Sequence, residues 1–272
     1  MSDYRSGLML NVPGHPDLKK VVVLNPKGGS GKSTLVTNLA GMLASRHQLV
    51  ALMDCDPQGS SMRWLSRRDA SRPPIHGMAA YEHEAAMTRS FQMRVPSEVR
   101  CLVVDTPAAL AVQELAAYTR GAHAILVPVL PSAIDIHAVT KLIEKLLLVA
   151  KVSRRMGRLG VIANRVRENT VSFRKLKLFL NRLDIATVCQ LRDSQNYVHA
   201  AEQGICIHEM QPSRVAKDVV QWQPLIDWLA LRLETPLTVR DLHDPLAERR
   251  LDKGNVRYLA DALAERAVRV KD

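Results

Sequence analysis

Short apolar runs alternate with amphipathic stretches along this chain after residue 20. The runs Lys20–Asn25, Leu49–Asp54, Arg100–Asp105, His123–Val129, Leu159–Ala163 and Ile185–Gln190 are short, mainly apolar between their ends and not alternating. That is the pattern of strands buried on both faces of a parallel sheet. Helices are expected at Gly31–Ser45, Leu110–Tyr118, Ile134–Ser153, Val171–Leu183, Asn196–Gly204, Val215–Leu233 and Asn255–Val270. Within the third of these, Leu142, Ile143, Leu146 and Val149 recur at helical spacing and are expected in the core, as are Phe173 and Phe179. Strands separated by helices predict an α/β fold: a doubly wound, mainly parallel sheet with helices on both faces. Ligands of such folds bind at the carboxyl ends of the strands.

Those strand ends carry the polar chemistry. Residues 27–34 read Lys-Gly-Gly-Ser-Gly-Lys-Ser-Thr and follow the apolar run Val21–Leu24. Glycines let a backbone curl with its N–H groups inward, and the helix that follows adds its positive end. Lys32 is placed to reach β- and γ-phosphates, and the Ser33 hydroxyl to ligate Mg²⁺. The common form of this loop has glycine where Pro26 stands, and a second lysine, Lys27, enters it. A lysine there is badly placed to serve the same phosphates as Lys32 and better placed to reach another subunit's nucleotide. The second strand ends in Asp54-Cys55-Asp56-Pro57-Gln58 and the third in Asp105-Thr106-Pro107. A lone strand-end aspartate is often a helix or turn cap. Three at two adjacent ends, beside a phosphate loop, point to Mg²⁺.

Composition narrows the class. At 272 residues, with 47% hydrophobic and 24% charged residues, the chain suits one α/β domain with a full core. No stretch approaches 18 continuous apolar residues, so no membrane span is expected. The first twenty residues lack the apolar segment of a signal peptide, which points to the cytoplasm. Cys55, Cys101, Cys189 and Cys206 form no Cys-x-x-Cys pair, and the nine histidines have no ligand spacing, so reduced thiols and no zinc or iron–sulfur site are expected. Net charge is +11, and residues 151–192 hold eleven Lys/Arg against Glu168 and Asp184, a local excess of +9. A charge run is usually a solvated face, yet one this lopsided suits a polyanion. With 4% aromatic residues, contact with duplex backbone fits better than base stacking.

The loop Lys-Gly-Gly-x-Gly-Lys-Ser-Thr resembles the deviant Walker A motif of the ParA/MinD family of dimerising ATPases. Asp54-x-Asp56-Pro57-Gln58 and the apolar run into Asp105-Thr106-Pro107 are similar to that family's other nucleotide motifs. So is Val127-Pro128-Val129-Leu130-Pro131-Ser132, with Asp135 following. Gln190-Leu191-Arg192-Asp193 and Gly204 fall where the family carries its late nucleotide-contacting loop. The resemblance covers roughly residues 20–234 and implies a P-loop NTPase of the deviant Walker A type. It implies that Lys27 contacts ATP across a dimer, and that Gly28, Gly29, Ser30, Gly31, Lys32, Ser33 and Thr34 hold the phosphates. Asp56 would orient the attacking water, and Asp54 and Asp105 would support Mg²⁺ with Ser33. Asn164 matches a position that often reads adenine. Arg214 matches a basic position used for nonspecific DNA binding, with Lys217 one turn on. Two departures stand out: Ser30 where valine is common, and Leu191 where relatives often place proline.

The organisation expected is an N-terminal extension (1–19), a ParA-like ATPase domain (20–234) and a helical tail (235–272) packing on the body or on a partner. In that tail Leu259, Leu263 and Val270 lie at roughly helical spacing, but Asp261 and Glu265 argue against a membrane anchor. The resemblance implies ATP and Mg²⁺ as ligands and slow hydrolysis stimulated by a cargo adaptor. It also implies a homodimer with ATP that binds double-stranded DNA on the nucleoid. The cargo would be a plasmid, a chromosome or a protein organelle such as a carboxysome. The alternatives are a MinD-like membrane-surface regulator, a metal- or cluster-handling ATPase, and a metabolic ligase of the same fold.

Overall fold

The computed structural model describes residues 16–81, 95–108, 110–153 and 155–234. They belong to one unit, Met1–Thr235; the expected helix Asn255–Val270 lies outside them, in Pro236–Asp272.

Seven strands form one sheet: β1 (Lys19–Val23), β2 (Val50–Asp54), β3 (Ile75–Ala79), β4 (Cys101–Asp105), β5 (Ala124–Val129), β6 (Leu159–Val166) and β7 (Ala186–Arg192). The order is β3-β2-β4-β1-β5-β6-β7, and every pairing is parallel. β1, at the centre, has its last four residues buried, and β2, β4 and β5 are buried along their whole length. That is why their sequences show no alternation.

The helices are α1 (Lys32–Ser45), α2 (Ser60–Ser66), α3 (Val112–Thr119), α4 (Ala133–Leu148), α5 (Val171–Arg182), α6 (Asn196–Glu202) and α7 (Pro212–Leu233). A 3₁₀ turn covers Ile207–Glu209. Residues of α3, α4 and α5 share a buried cluster with one face of the sheet, including Leu115, Leu142, Ile143, Leu146, Phe173 and Leu176. α1, the 3₁₀ turn and α7 cover the other face, where Trp222, Leu225 and Leu229 are fully buried. Helices on both faces are thus observed.

Four expectations need correction. β3 adds a strand that the apolar pattern does not predict: it is an edge strand whose His76 and Gly77 are exposed, so it carries no continuous apolar run. α2 is likewise additional, because its seven residues are mostly polar and a distant carboxylate begins it, as described below. The helix expected to reach Ser153 stops at Leu148. Val149 and Ala150 both donate to the Lys145 carbonyl, Lys151 takes φ 53°, and Val149 is 51% exposed rather than in the core. Finally, α7 begins at Pro212 rather than Val215; proline at the first helical position has no N–H to leave unpaired. Phe173 is buried, and Phe179 is partly buried against the same cluster.

The far end of the 3₁₀ turn is held by a buried ion pair. Arg68 donates to both Glu209 oxygens, at 2.9 and 2.6 Å, and the two side chains are 4% and 5% exposed. Burial alone would raise the Glu209 carboxyl, but Arg68 and the Cys206 N–H outweigh it and hold the carboxyl low. Gly204 lies beside this pair. A β-carbon there would meet the Arg67 and Arg68 backbone at 2.5 Å, and its φ is 65°. Its role in this structure is close packing, since it does not line the cavity described next.

Candidate functional site

The glycine-rich loop follows the centre strand. Asn25, buried just past β1, donates to the Pro128 carbonyl at 2.6 Å and accepts from Lys27 N–H at 2.7 Å. This ties the loop to β5. Gly29 and Gly31 have φ of 74° and 89°, where a β-carbon is disfavoured, and a side chain on Gly31 would also collide with the Asn164 amide. α1 starts at Lys32, so the unpaired N–H groups of its first turn and its positive end face the loop. Lys32 is 6% exposed and donates to the Lys27 carbonyl at 3.2 Å. Burial lowers the pKa of its ammonium, and Asp105 and Asp56 oppose that.

The three strand-end acids divide the work. Asp54 is fully buried; its Oδ1 accepts from Asp56 N–H at 3.0 Å, and its Oδ2 from Ser61 and Met62 N–H at 2.9 and 3.1 Å. It therefore starts α2 and fixes the turn that carries Asp56. Asp56 accepts from Gln58 N–H at 3.0 Å and faces the open space beside the loop. Asp105, fully buried, accepts from the Ser61 hydroxyl at 2.6 Å through Oδ2 and is also hydrogen-bonded by Ser33. Its Oδ1 is buried with no partner.

The loop and Asp56 open on a cavity of about 1140 Å³. Gly28 to Thr34, Asp56 and Asn164 line it together, as the sequence suggests. Asn164 donates to the Ser30 carbonyl at 2.9 Å, so it braces the loop as well as facing the cavity. Asp54 and Asp105 stand behind the wall, and Arg214 and Lys217 lie elsewhere, exposed at the start of α7. The wall also contains Arg192 and Asp193, from the segment that resembles the family's late nucleotide-contacting loop, and Tyr118, Tyr197 and Trp222, which the sequence does not single out for nucleotide contact. The Trp222 ring N–H donates to the Tyr197 hydroxyl at 2.9 Å, from an amphipathic helix whose pattern announces burial and not a binding wall. Arg192 is locked by Asp218, at 2.6 and 2.9 Å, into a network with Asn196.

Lys27 does not line the cavity. Its ammonium donates to Asp135 Oδ1 at 2.7 Å, and its side chain is 35% exposed. Asp135 sits in the first turn of α4, where Ser132 caps the helix and its hydroxyl donates to the same carboxylate. The second lysine is thus held to the side of its own phosphate loop.

The donor set fits Mg²⁺. An unpartnered buried carboxylate oxygen on Asp105 and the adjoining Ser33 hydroxyl are hard oxygen ligands of the kind the ion takes with substrate phosphates. Burial raises the Asp105 carboxyl to about 6; Ser61 and Ser33 pull it down, Asp54 pushes it up and Lys32 pulls it down. The folded value lies above the unfolded one. This group therefore stabilises the fold at low pH, and that stability is lost as pH rises through about 6. Mg²⁺ needs the carboxylate. The Asp105 part of the Mg²⁺ enhancement of nucleotide affinity should level off above about pH 6 and fall towards tenfold per unit below it. Fluorescence titration from pH 5 to 8 measures this. Asp105→Asn keeps the titration of ATP itself and should lose the step; an unchanged profile in that variant would rule the carboxylate out.

Comparison with known proteins places this geometry. Residues 21–205 match the family model described as the CobQ/CobB/MinD/ParA nucleotide binding domain. A "Maintenance of carboxysome distribution protein A" of Gloeobacter kilaueensis is 35% identical over 136 residues, 50% of this chain and 60% of that protein. The matched part thus spans under two thirds of that relative's length. The protein of the same name from Halothiobacillus neapolitanus is 26% identical over 195 residues, 70% of this chain and 87% of that protein. Among solved structures, the ATP complex of a Cyanothece McdA variant shares the fold with TM-score 0.56 and 18% identity, covering 82% of this chain and 99% of that one. The loop, the strand-end acids and the parallel sheet agree with the match over most of the chain: it belongs to the CobQ/CobB/MinD/ParA family of nucleotide-binding domains.

Proposed function

We propose that this chain is an ATP hydrolase that switches between a monomer and an ATP-held homodimer, and that the dimer binds double-stranded DNA without sequence preference. The observation that carries this reading is Lys27. Its side chain is partly exposed and does not line its own cavity, and its ammonium is paired with a single carboxylate. A partner subunit's triphosphate carries more charge than Asp135, so exchange of one anion for the other links nucleotide to assembly.

Within each subunit, the loop N–H groups and Lys32 hold the phosphates, with Asn164 beside the base. Ser33 and Asp105 would hold Mg²⁺, which would neutralise phosphate charge. Asp56 orients the attacking water, and Asp54 positions Asp56 through the turn it caps. Among the described residues the basic groups that line the cavity without a positive charge are carboxylates, Asp56, Glu114, Asp193 and Glu202, which are weak bases, so hydrolysis is slow until an adaptor protein stimulates it. Arg214 and Lys217, exposed at the start of α7, contact DNA phosphates. Hydrolysis then releases the DNA, and cycles of this kind move or space a cargo over the nucleoid in the cytoplasm. A plasmid, a chromosome and a protein organelle are all compatible cargoes; the names of the two relatives favour a carboxysome.

Fluorescence anisotropy with a random-sequence duplex tests this at low salt. Binding with ATP–Mg²⁺ should be at least tenfold tighter than with ADP and should weaken steeply as salt rises. Equal affinity in the two nucleotides would contradict a switch.

A further inference from the structure

The basic stretch that stands out in the sequence does not survive folding as one surface. Arg165 and Arg167 reach Asp193 at 3.4 and 2.7 Å, and Arg192 is bound twice by the fully buried Asp218. Arg158 donates to the Ala122 carbonyl. Four of the eleven cations are therefore already engaged. What remains together is α5, Val-Ser-Phe-Arg-Lys-Leu-Lys-Leu-Phe-Leu-Asn-Arg, with four cations and no acid in twelve residues.

We propose that the outer face of α5 is a duplex nucleic-acid contact of this protein, separate from Arg214 and Lys217. The proposal rests on the reading that the ATP form binds DNA. Phe173, Leu176 and Leu180 are buried, which turns Arg174, Lys175 and Arg182 outward, and all three are exposed. None of them is ion-paired among the described residues. Lys177 is also exposed, with its ammonium 4.6 Å over the Phe173 ring. Arg174 to Arg182 spans about 12 Å at 1.5 Å per residue. A duplex presents about seven charges over that length.

The neighbouring surface agrees in sign. The first turn of α5, capped by Thr170, and that of α4, capped by Ser132, border one groove of about 590 Å³. Its polar lining is Ser132, His137, Thr140, Ser172 and Lys175, with no carboxylate. Both helix ends add positive potential there. The nearest acids in sequence, Glu168 and Asp184, stand outside the helix at its two ends. In the sheet order, α5 connects β6 to the edge strand β7, while α7, which carries Arg214 and Lys217, packs on β7. DNA held by both helices would lie along that edge.

The test is the salt dependence of duplex binding with ATP–Mg²⁺, measured for the unaltered chain, for Arg174→Gln/Lys175→Gln and for Arg214→Gln/Lys217→Gln. Each phosphate no longer neutralised should lower the slope of log K against log salt by about 0.9. The α5 variant should therefore lose about 2 in slope per subunit engaged, with ATP turnover and melting temperature unchanged. Lys177→Gln/Arg182→Gln repeats the test on the same helix and should also lower the slope. Binding by the unaltered chain with unchanged slopes in both α5 variants would overturn the proposal alone and leave α5 free for an acidic protein partner. No ATP-dependent binding by the unaltered chain would overturn this proposal and the DNA reading together.

Discussion

Lys32→Gln is expected to lower ATP affinity by at least about thirtyfold, measured by calorimetric titration with Mg²⁺. The size follows from where the ammonium sits. It is almost fully buried, its desolvation is opposed by Asp105 and Asp56, and its hydrogen bond in this structure is to the Lys27 carbonyl. A charge kept dehydrated for so little return is one whose proper partner is the ligand. Removing one member of a buried charge pair costs about 2–5 kcal/mol, which is roughly thirtyfold to several thousandfold in affinity. Without the cation, Asp105 and Asp56 also have no shared counter-charge beside incoming phosphates. A loss of less than threefold would mean that the phosphates do not lie where the loop points.

Much of that site is legible along the chain, and the reasons are physical. A phosphate loop is local: its glycines, its lysine and the helix that follows are consecutive, so Gly29, Gly31 and Lys32 can be read directly. Asp56 and Asp105 follow apolar runs that are themselves readable as strands. What escapes is what depends on distant partners. Asp54 has the spacing of a metal ligand, but its Oδ1 is taken by Asp56 N–H and its Oδ2 by the N–H groups of Ser61 and Met62, which only the fold brings back to it. The same bonds explain why α2 is invisible in the sequence: its start signal is a carboxylate at the end of the preceding strand. The Lys27–Asp135 pair joins positions 108 apart, and no local pattern shows it. The charge run misleads in the other direction. It counts Arg165, Arg167 and Arg192 as free, whereas Asp193 and Asp218 lie past the window and neutralise them. Folding sharpens a diffuse +9 into one helix.

The second large effect is on assembly. Lys27→Ala should leave ATP binding by each subunit nearly intact, because the side chain lies off the cavity. It should abolish dimerisation, because the lysine placed to leave its own subunit is gone. The substitution also strips Asp135 of its cation, but that carboxylate keeps the Ser132 hydroxyl, which itself accepts from Asp135 N–H, and the positive end of α4, so the fold should persist. A melting curve within a few degrees of the unaltered chain checks this. With assembly abolished, duplex DNA binding should fall to the level seen with ADP, since doubling the number of phosphates contacted multiplies affinity steeply.

The most direct measurement is the mass in solution by multi-angle light scattering, with a slowly hydrolysed ATP analogue and Mg²⁺ at saturating concentration. The unaltered chain, 30.3 kDa, should move from monomer to twice that mass when the analogue is added. Lys27→Ala should bind the analogue and stay a monomer. A Lys27→Ala chain that binds the analogue and doubles its mass as readily as the unaltered one would contradict the cross-subunit switch.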